Sequence, residues 1–136
     1  MHISSAYPVL CVEDVKETAN FYRAHFRFRT VFENDWYVHL TNENQEEINL
    51  AIMRWDHDSI PEGHRKNVGG VLINFEVENA SELYHQHSNA GLDILQPLRD
   101  DPTGQRHYIV RDPAGTLIDI ITPIEPSDAF KAQFVS

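Results

Sequence analysis

The chain has 136 residues, of which 41% are hydrophobic, and this length and composition are typical of one globular domain. Its formal net charge of −10 argues against nucleic acid as a partner, because binding to phosphates depends on lysine and arginine. No segment is apolar for long enough to span a bilayer, and the first residues lack the features of a signal peptide. The lone Cys11 cannot form an internal disulfide, so we expect a cytoplasmic protein with no membrane partner.

Two segments of the chain follow the same plan. Val12–Glu17 is echoed by Val77–Glu82, which lies 65 positions further on, and each segment comes directly after an apolar run. Asp14 and Asn79 each stand three residues before a glutamate, a spacing close to that of a capping box. The pattern predicts a helix start at each place, with Gly91 ending the second helix.

One strand-like run precedes each predicted helix, and three more follow it. These runs are rich in β-branched and aromatic residues and are separated by polar turn segments. In the first half the predicted strands are Tyr7–Val12, Phe28–Glu33, Trp36–Leu40 and Ile48–Met53. In the second half they are Val71–Val77, Ile94–Leu98, His107–Arg111 and Leu117–Thr122. The sequence therefore predicts two successive strand-helix-strand-strand-strand modules.

The predicted organisation is a single domain over residues 1–136. Module 1 spans about residues 5–54, a linker about 55–69, module 2 about 70–125, and a tail 126–136. The linker is polar and rich in glycine and proline. In the tail, Phe130 and Phe134 are four apart, which fits either one docked helical turn or a frayed end.

Two stretches carry a resemblance to a known family. The first is Val9–Val15, followed on the helix by Asn20–Arg23. The second, more diagnostic stretch is Gly104–Asp119, which ends in the form Arg-Asp-Pro-x-Gly-x-x-x-acidic. Over nearly its whole length the sequence resembles the vicinal oxygen chelate superfamily, which comprises glyoxalases, bleomycin resistance proteins and dioxygenases. The resemblance implies an α+β fold of two βαβββ modules, whose mixed sheet forms a cup around a ligand or metal.

The resemblance also implies where a metal would be held. Matching the motifs places the ligand positions at Tyr7, Asn49, Leu72 and Asp119. The repeat suggests that Asn49 and Asp119 hold equivalent places in the last strands of the two modules. Divalent first-row ions favour three or more imidazole, carboxylate or thiolate donors, whereas Leu72 has no ligating atom and Asp119 is the one strong donor. Asp119 also has a simpler interpretation, an ion pair with Arg106 or Arg111. We expect no metal and no cofactor.

The inward-facing strand positions are the candidates for ligand contact. Of the eight histidines, His39 and His107 lie on predicted strands, where either face is about equally open to them. The expected lining is an aromatic and aliphatic wall with a few polar groups, as in most ligand pockets. The predicted ligand-binding residues are Tyr7, Trp36 (or its neighbour Tyr37), His39, Asn49, Leu72, Asn74, His107 and Asp119.

Two functions follow from this lining. The first is a metal-independent small-molecule-binding protein, similar to the bleomycin-resistance branch, with a cationic or aromatic ligand and a homodimer as the expected assembly. The alternative is a lyase, isomerase or dioxygenase, with or without a metal, that uses Asp119 with His39 or His107. The sequence identifies no substrate, and it leaves open whether the protein is an enzyme.

Overall fold

The computed structural model describes residues 1–134 and divides them into two compact units. Unit 1 contains residues 1–70 and 113–115, and unit 2 contains residues 71–112 and 116 onward. Both units are α+β, and each carries one four-stranded mixed sheet. None of the described helices is long and apolar enough to cross a membrane.

Unit 1 has the strand-helix-strand-strand-strand order predicted for the first half. Its elements are β1 (Val9–Val12), α1 (Val15–His25), β2 (Phe28–Glu33), β3 (Tyr37–Asn42) and β4 (Asn49–Arg54). The sheet order is β1-β4-β3-β2, with β1 parallel to β4 and the other pairs antiparallel. The core lies between α1 and one face of this sheet, and its buried residues include Leu10, Ala19, Tyr22, Leu40 and Ile52. We call the opposite face the helix-free face of unit 1.

Unit 2 repeats the same order. Its elements are β5 (Leu72–Glu76), α2 (Ala80–Asn89), β6 (Asp93–Asp101), β7 (Gln105–Arg111), β8 (Leu117–Pro123) and the short α3 (Asp128–Lys131). The sheet order is β5-β8-β7-β6, again with only the first pair parallel. Tyr108 joins α2 to the sheet, because its hydroxyl lies 2.8 Å from Nδ1 of the buried His87. The helix-free face of unit 2 is the face of its sheet opposite α2.

The predicted helix caps are confirmed. Asp14 Oδ1 accepts a hydrogen bond from the Glu17 backbone N–H at 3.0 Å, and Asn79 Oδ1 does the same for Glu82 at 3.0 Å. Both caps satisfy N–H groups that have no partner within the helix. The tail does form one helical turn, α3, and the ring of its Phe130 lies 5.2 Å from the ring of Phe134, which follows the helix. Its last residues, Val135 and Ser136, lie outside the described part of the chain.

Several strand boundaries differ from the prediction. The strand β1 begins at Val9, so Tyr7 precedes it, and β3 begins at Tyr37, so Trp36 precedes that strand. The largest difference is β6, which continues past the predicted end at Leu98 as far as Asp101. This strand has two register irregularities against β7, and its added residues Arg99–Asp101 are charged rather than β-branched or aromatic, which is why the composition did not predict them.

Candidate functional site

The helix-free face of unit 1 carries an aromatic cluster. In the sheet register, Val9, Ala51 and His39 lie side by side on β1, β4 and β3, and Phe32 on β2 is the next partner of His39. The Tyr7 ring stands edge-on to the His39 ring, with centroids 4.6 Å apart. Tyr7 and Phe32 are 41% and 53% exposed, so their rings are open to a ligand.

His39 is held by the Asn49 side chain. Nε2 of His39 lies 2.8 Å from Oδ1 of Asn49, and Asn49 Nδ2 donates a hydrogen bond to the Glu46 carbonyl at 2.9 Å. The short loop between β3 and β4 thus fixes the amide, and the amide fixes the imidazole. The predicted ligand-binding residues Tyr7, His39 and Asn49 therefore lie together.

Burial and neighbours affect two further side chains on this face. Burial raises the pKa of the Tyr37 phenol, and the adjacent Tyr7 raises this pKa further through its charge and a hydrogen bond. Burial also raises the pKa of the Cys11 thiol, which makes the thiol a poor nucleophile. Both groups are consequently neutral at physiological pH.

Unit 2 has a different polar arrangement, centred on His107. Nδ1 of His107 lies 2.7 Å from Oδ1 of Asp119, and Nε2 is hydrogen-bonded to Oδ2 of Asp101. His107 and Asp119 are both 6% exposed. A neutral imidazole has only one N–H, so two carboxylate acceptors on its two nitrogens favour the doubly protonated form. We call this arrangement the Asp101–His107–Asp119 clamp.

The charges of the clamp shift two pKa values in opposite directions. Burial lowers the pKa of His107, but the hydrogen bonds and charges of Asp119 and Asp101 outweigh it, and the pKa lies above its usual value. The hydrogen bond from His107 holds the pKa of Asp101 below its usual range, and Arg99 at 3.2 Å adds to this effect. Both shifts favour the charged forms of His107 and Asp101.

The simpler interpretation of Asp119, an ion pair with an arginine, is wrong. Arg106 pairs with Asp100 at 2.8 Å, and Arg111 pairs with Asp93. These pairs cross from β7 to β6, whereas Asp119 lies on β8 and faces His107. Asp101 was not predicted, and because it follows the predicted end of its strand, no sequence signal pointed to it.

The expected equivalence of Asn49 and Asp119 is also wrong. Val9 and Asn74 are 65 positions apart and hold equivalent places on β1 and β5. Val9 pairs with Ala51, while Asn74 pairs with Asp119. The counterpart of Asp119 in unit 1 is thus Ala51, which is fully buried and has no ligating atom.

The remaining predicted residues lie at different places. Leu72 begins β5 and is 50% exposed. Asn74, also on β5, is exposed and pairs with Asp119 on the neighbouring strand β8. Trp36 stacks on His57, with ring centroids 3.6 Å apart and planes at 9°, and so it is engaged by the segment predicted as the linker. The sequence offered either Trp36 or Tyr37 as a ligand-binding residue. Of these two, Tyr37 lies on the helix-free face of unit 1, two positions from His39 on β3.

The side chains at the family's metal positions do not fit a metal. Tyr7, Ala51 and Leu72 offer at most a phenol, which is a poor donor at neutral pH. Asp119 is a carboxylate, but one of its oxygens accepts a hydrogen bond from His107. Among residues 1–134, no group of three or more His, Cys, Asp or Glu side chains is arranged to hold a metal ion. We therefore derive no chemistry through a metal.

A separate pocket lies in unit 1 at the start of α1. Its volume is about 290 Å³, and its walls include Glu13, Asp14, Glu17 and Asn67. None of the predicted ligand-binding residues lines it. The pocket is an acidic surface depression whose walls include no residue of the aromatic cluster.

Solved structures of similar fold span almost the whole chain. One is a member of the glyoxalase/bleomycin resistance protein/dioxygenase superfamily from Sphaerobacter thermophilus, 22% identical, with a TM-score of 0.74 over 90% of this chain and 98% of that chain. TioX from Micromonospora sp. ML1 is 22% identical, with a TM-score of 0.68 over 90% of this chain and 100% of that chain. Lactoylglutathione lyase from Agrobacterium tumefaciens is 18% identical, with a TM-score of 0.69 over 90% of this chain and 96% of that chain. At these identities the likeness shows the fold alone.

The sequence itself matches a family profile. No curated protein matches the chain. The profile of the Glyoxalase/Bleomycin resistance protein/Dioxygenase superfamily, however, covers residues 2–120. The two βαβββ units agree with this match. The chain belongs to the Glyoxalase/Bleomycin resistance protein/Dioxygenase superfamily.

Proposed function

We propose that this member of the superfamily is a small-molecule-binding protein that works without a metal. The observation that carries the proposal is the donor set at the metal positions, where Asp119 in unit 2 is the one carboxylate and its counterpart in unit 1 is Ala51. That carboxylate is already hydrogen-bonded to a buried imidazole. Removing it from His107 would leave a buried charge poorly compensated, which is costly. A metal would have to overcome this cost with too few ligands.

The proposed ligand is a planar aromatic cation. Tyr7, Phe32, Tyr37 and His39 give the helix-free face of unit 1 an unusual density of rings, and two of these rings are well exposed. Planar ligands gain from edge and face contacts with such rings, and cations gain further from the negative ring faces. The net charge of −10 attracts a cation over long range.

A pair of fluorescent probes of similar shape tests this proposal. We expect 9-aminoacridine to bind more tightly than 9-anthracenecarboxylate. The first is a planar cation at neutral pH, and the second is a planar anion. The Tyr7→Ala substitution should weaken binding of the cation by about fivefold or more, since one aromatic contact is removed. The matched control is Phe134→Ala, which removes a ring that is 61% exposed elsewhere. Equal binding of both probes, or equal losses in both variants, would contradict the proposed ligand class.

We also propose that the protein is a cytoplasmic homodimer. The edge strand β2 supports the assembly, because its Val31 is 57% exposed. Large apolar side chains exposed on a sheet edge are commonly covered by a partner. Sedimentation equilibrium should give twice the 15.7 kDa chain mass, and a single species at the chain mass would contradict the dimer.

A further inference from the structure

The helix-free face of unit 1 contains a histidine whose tautomer can be assigned from its neighbours. Asn49 Nδ2 donates to the Glu46 carbonyl at 2.9 Å, and a carbonyl can only accept. This bond fixes which end of the amide is oxygen and directs Oδ1 at His39. Oδ1 is itself only an acceptor, so the nitrogen facing it at 2.8 Å, Nε2 of His39, must carry the proton.

The other ring nitrogen of His39 is then a lone-pair acceptor whenever the ring is neutral. Within residues 1–134, Nδ1 of His39 has no hydrogen-bond partner. Nδ1 of His39 is not enclosed either. Among the described side chains, the buried polar atoms that lack partners are Gln96 Nε2 and Thr116 Oγ1. The acceptor therefore reaches solvent beside the exposed Tyr7 ring.

The second strand histidine is the opposite case. Both nitrogens of His107 face carboxylates in the Asp101–His107–Asp119 clamp, so it offers no lone pair to a ligand. Of the two, only His39 can discriminate between ligands by accepting a hydrogen bond.

We infer that Nδ1 of His39 selects ligands that present an N–H or O–H donor at the edge of a planar ring, as a protonated or amino-substituted heterocycle does. The inference rests on the proposed function and names the polar feature that its aromatic ligand must have. An acceptor-edged ligand, such as a ring carboxylate, would bring two lone pairs together and is disfavoured at this place.

The tautomer is tested first, with no ligand present. Long-range ¹H–¹⁵N NMR spectra of ¹⁵N-labelled protein near pH 8 distinguish the two neutral imidazole tautomers. We expect the Nε2–H form for His39 in the wild type, and a loss of this preference in Asn49→Leu, which removes the fixing carbonyl. An Nδ1–H tautomer in the wild type overturns the inference, whether or not any ligand binds.

Ligand selection is tested with two acridine cations of equal charge. 9-Aminoacridine has N–H donors, whereas 10-methylacridinium is a planar cation with none. We expect the wild type to bind 9-aminoacridine about fivefold to tenfold more tightly than 10-methylacridinium, the effect of one hydrogen bond. The His39→Phe variant keeps an aromatic ring at this place but has no hydrogen-bond acceptor, so this ratio should fall to about one. Thermal unfolding of the variant checks that it is folded.

The outcomes separate the two proposals. Equal affinity of the wild type for both cations, or an unchanged ratio in His39→Phe, overturns the inference and leaves the proposed function standing. Failure of both cations to bind overturns the proposed function for this ligand class, and the donor selection with it. A preference for 9-aminoacridine that is present in the wild type and lost in both His39→Phe and Asn49→Leu supports the inference.

Discussion

At the scale of single residues, the protonation of His107 links stability to pH. Its folded-state pKa lies above the ordinary value of about 6.5, because Asp119 and Asp101 outweigh the effect of burial. The bound proton therefore stabilises the fold fully below about pH 6.5, and this contribution is lost as the pH rises through the folded-state pKa. At pH 6 we expect His107→Gln to lower the free energy of unfolding by about 1.5–3 kcal/mol, the range for hydrogen bonds to charged groups.

Urea unfolding at a series of pH values between 6 and 9 measures this effect. The difference between wild type and His107→Gln should shrink as the pH rises. The control is His85→Gln, which removes an exposed histidine from α2 and should give a small difference at every pH. A difference for His107→Gln that stays constant or grows with pH would show that the clamp does not hold an imidazolium.

The partners of these residues depend on sheet register, which the sequence does not reveal. The burial of Asp119, and its need for a partner, could be predicted from the isoleucines around it. Its partner could not, since His107 reaches it across β7 and β8 while the nearby arginines pair with β6. Likewise, Asn49 and Ala51 lie on the same face of β4 because side chains alternate with a period of two. Only the pairing with β1 identifies Ala51 as the counterpart of Asp119.

At the scale of elements, the ends of the two long helices differ in a way that can be measured. Arg27 follows the C-cap of α1 with a φ of 56°, and Gly91 follows the C-cap of α2 with a φ of 77°. A left-handed backbone suits glycine and costs other residues about 1 kcal/mol or more. We expect Arg27→Gly to raise the free energy of unfolding by about 0.5–1 kcal/mol. Gly91→Ala should lower it by about 1 kcal/mol, since a Cβ there meets no atom and only the backbone is strained.

Thermal and urea unfolding of the two variants measure these changes. Arg27→Ala is the matched control, because it removes the same exposed side chain and its 4.0 Å ion pair with Glu43 but keeps a Cβ. It should not stabilise the protein. If Arg27→Gly and Arg27→Ala have the same effect, the left-handed backbone is not the source of the difference.

The helices could be predicted better than the strands. The capping residues Asp14 and Asn79 mark the two helix starts through local chemistry that needs no tertiary contact. Strand ends depend instead on the neighbouring strand. The last residues of β6, up to Asp101, belong to the strand because β7 extends far enough to pair with them. That extension is what brings Asp101 to His107.

At the scale of the whole molecule, the fold could be predicted because the sequence contains the same pattern of predicted helix and strands in both halves. Two copies of one helix start, each with one strand before it and three after it, leave few other arrangements, and the units adopt the same sheet order. The function could not be predicted to the same depth. A shared scaffold supports many activities, so the ligand depends on particular side chains such as Tyr7 and His39.

The most direct test of metal-independent binding is the metal content of protein purified without chelator, measured by elemental analysis for wild type and Asp119→Ala. The same measurement follows incubation of both with Mn, Fe, Ni and Zn. The Asp119 carboxylate is committed to His107, and its counterpart is Ala51, so we expect far less than one metal ion per chain in both proteins. Near-stoichiometric metal in the wild type that disappears in Asp119→Ala would contradict this account.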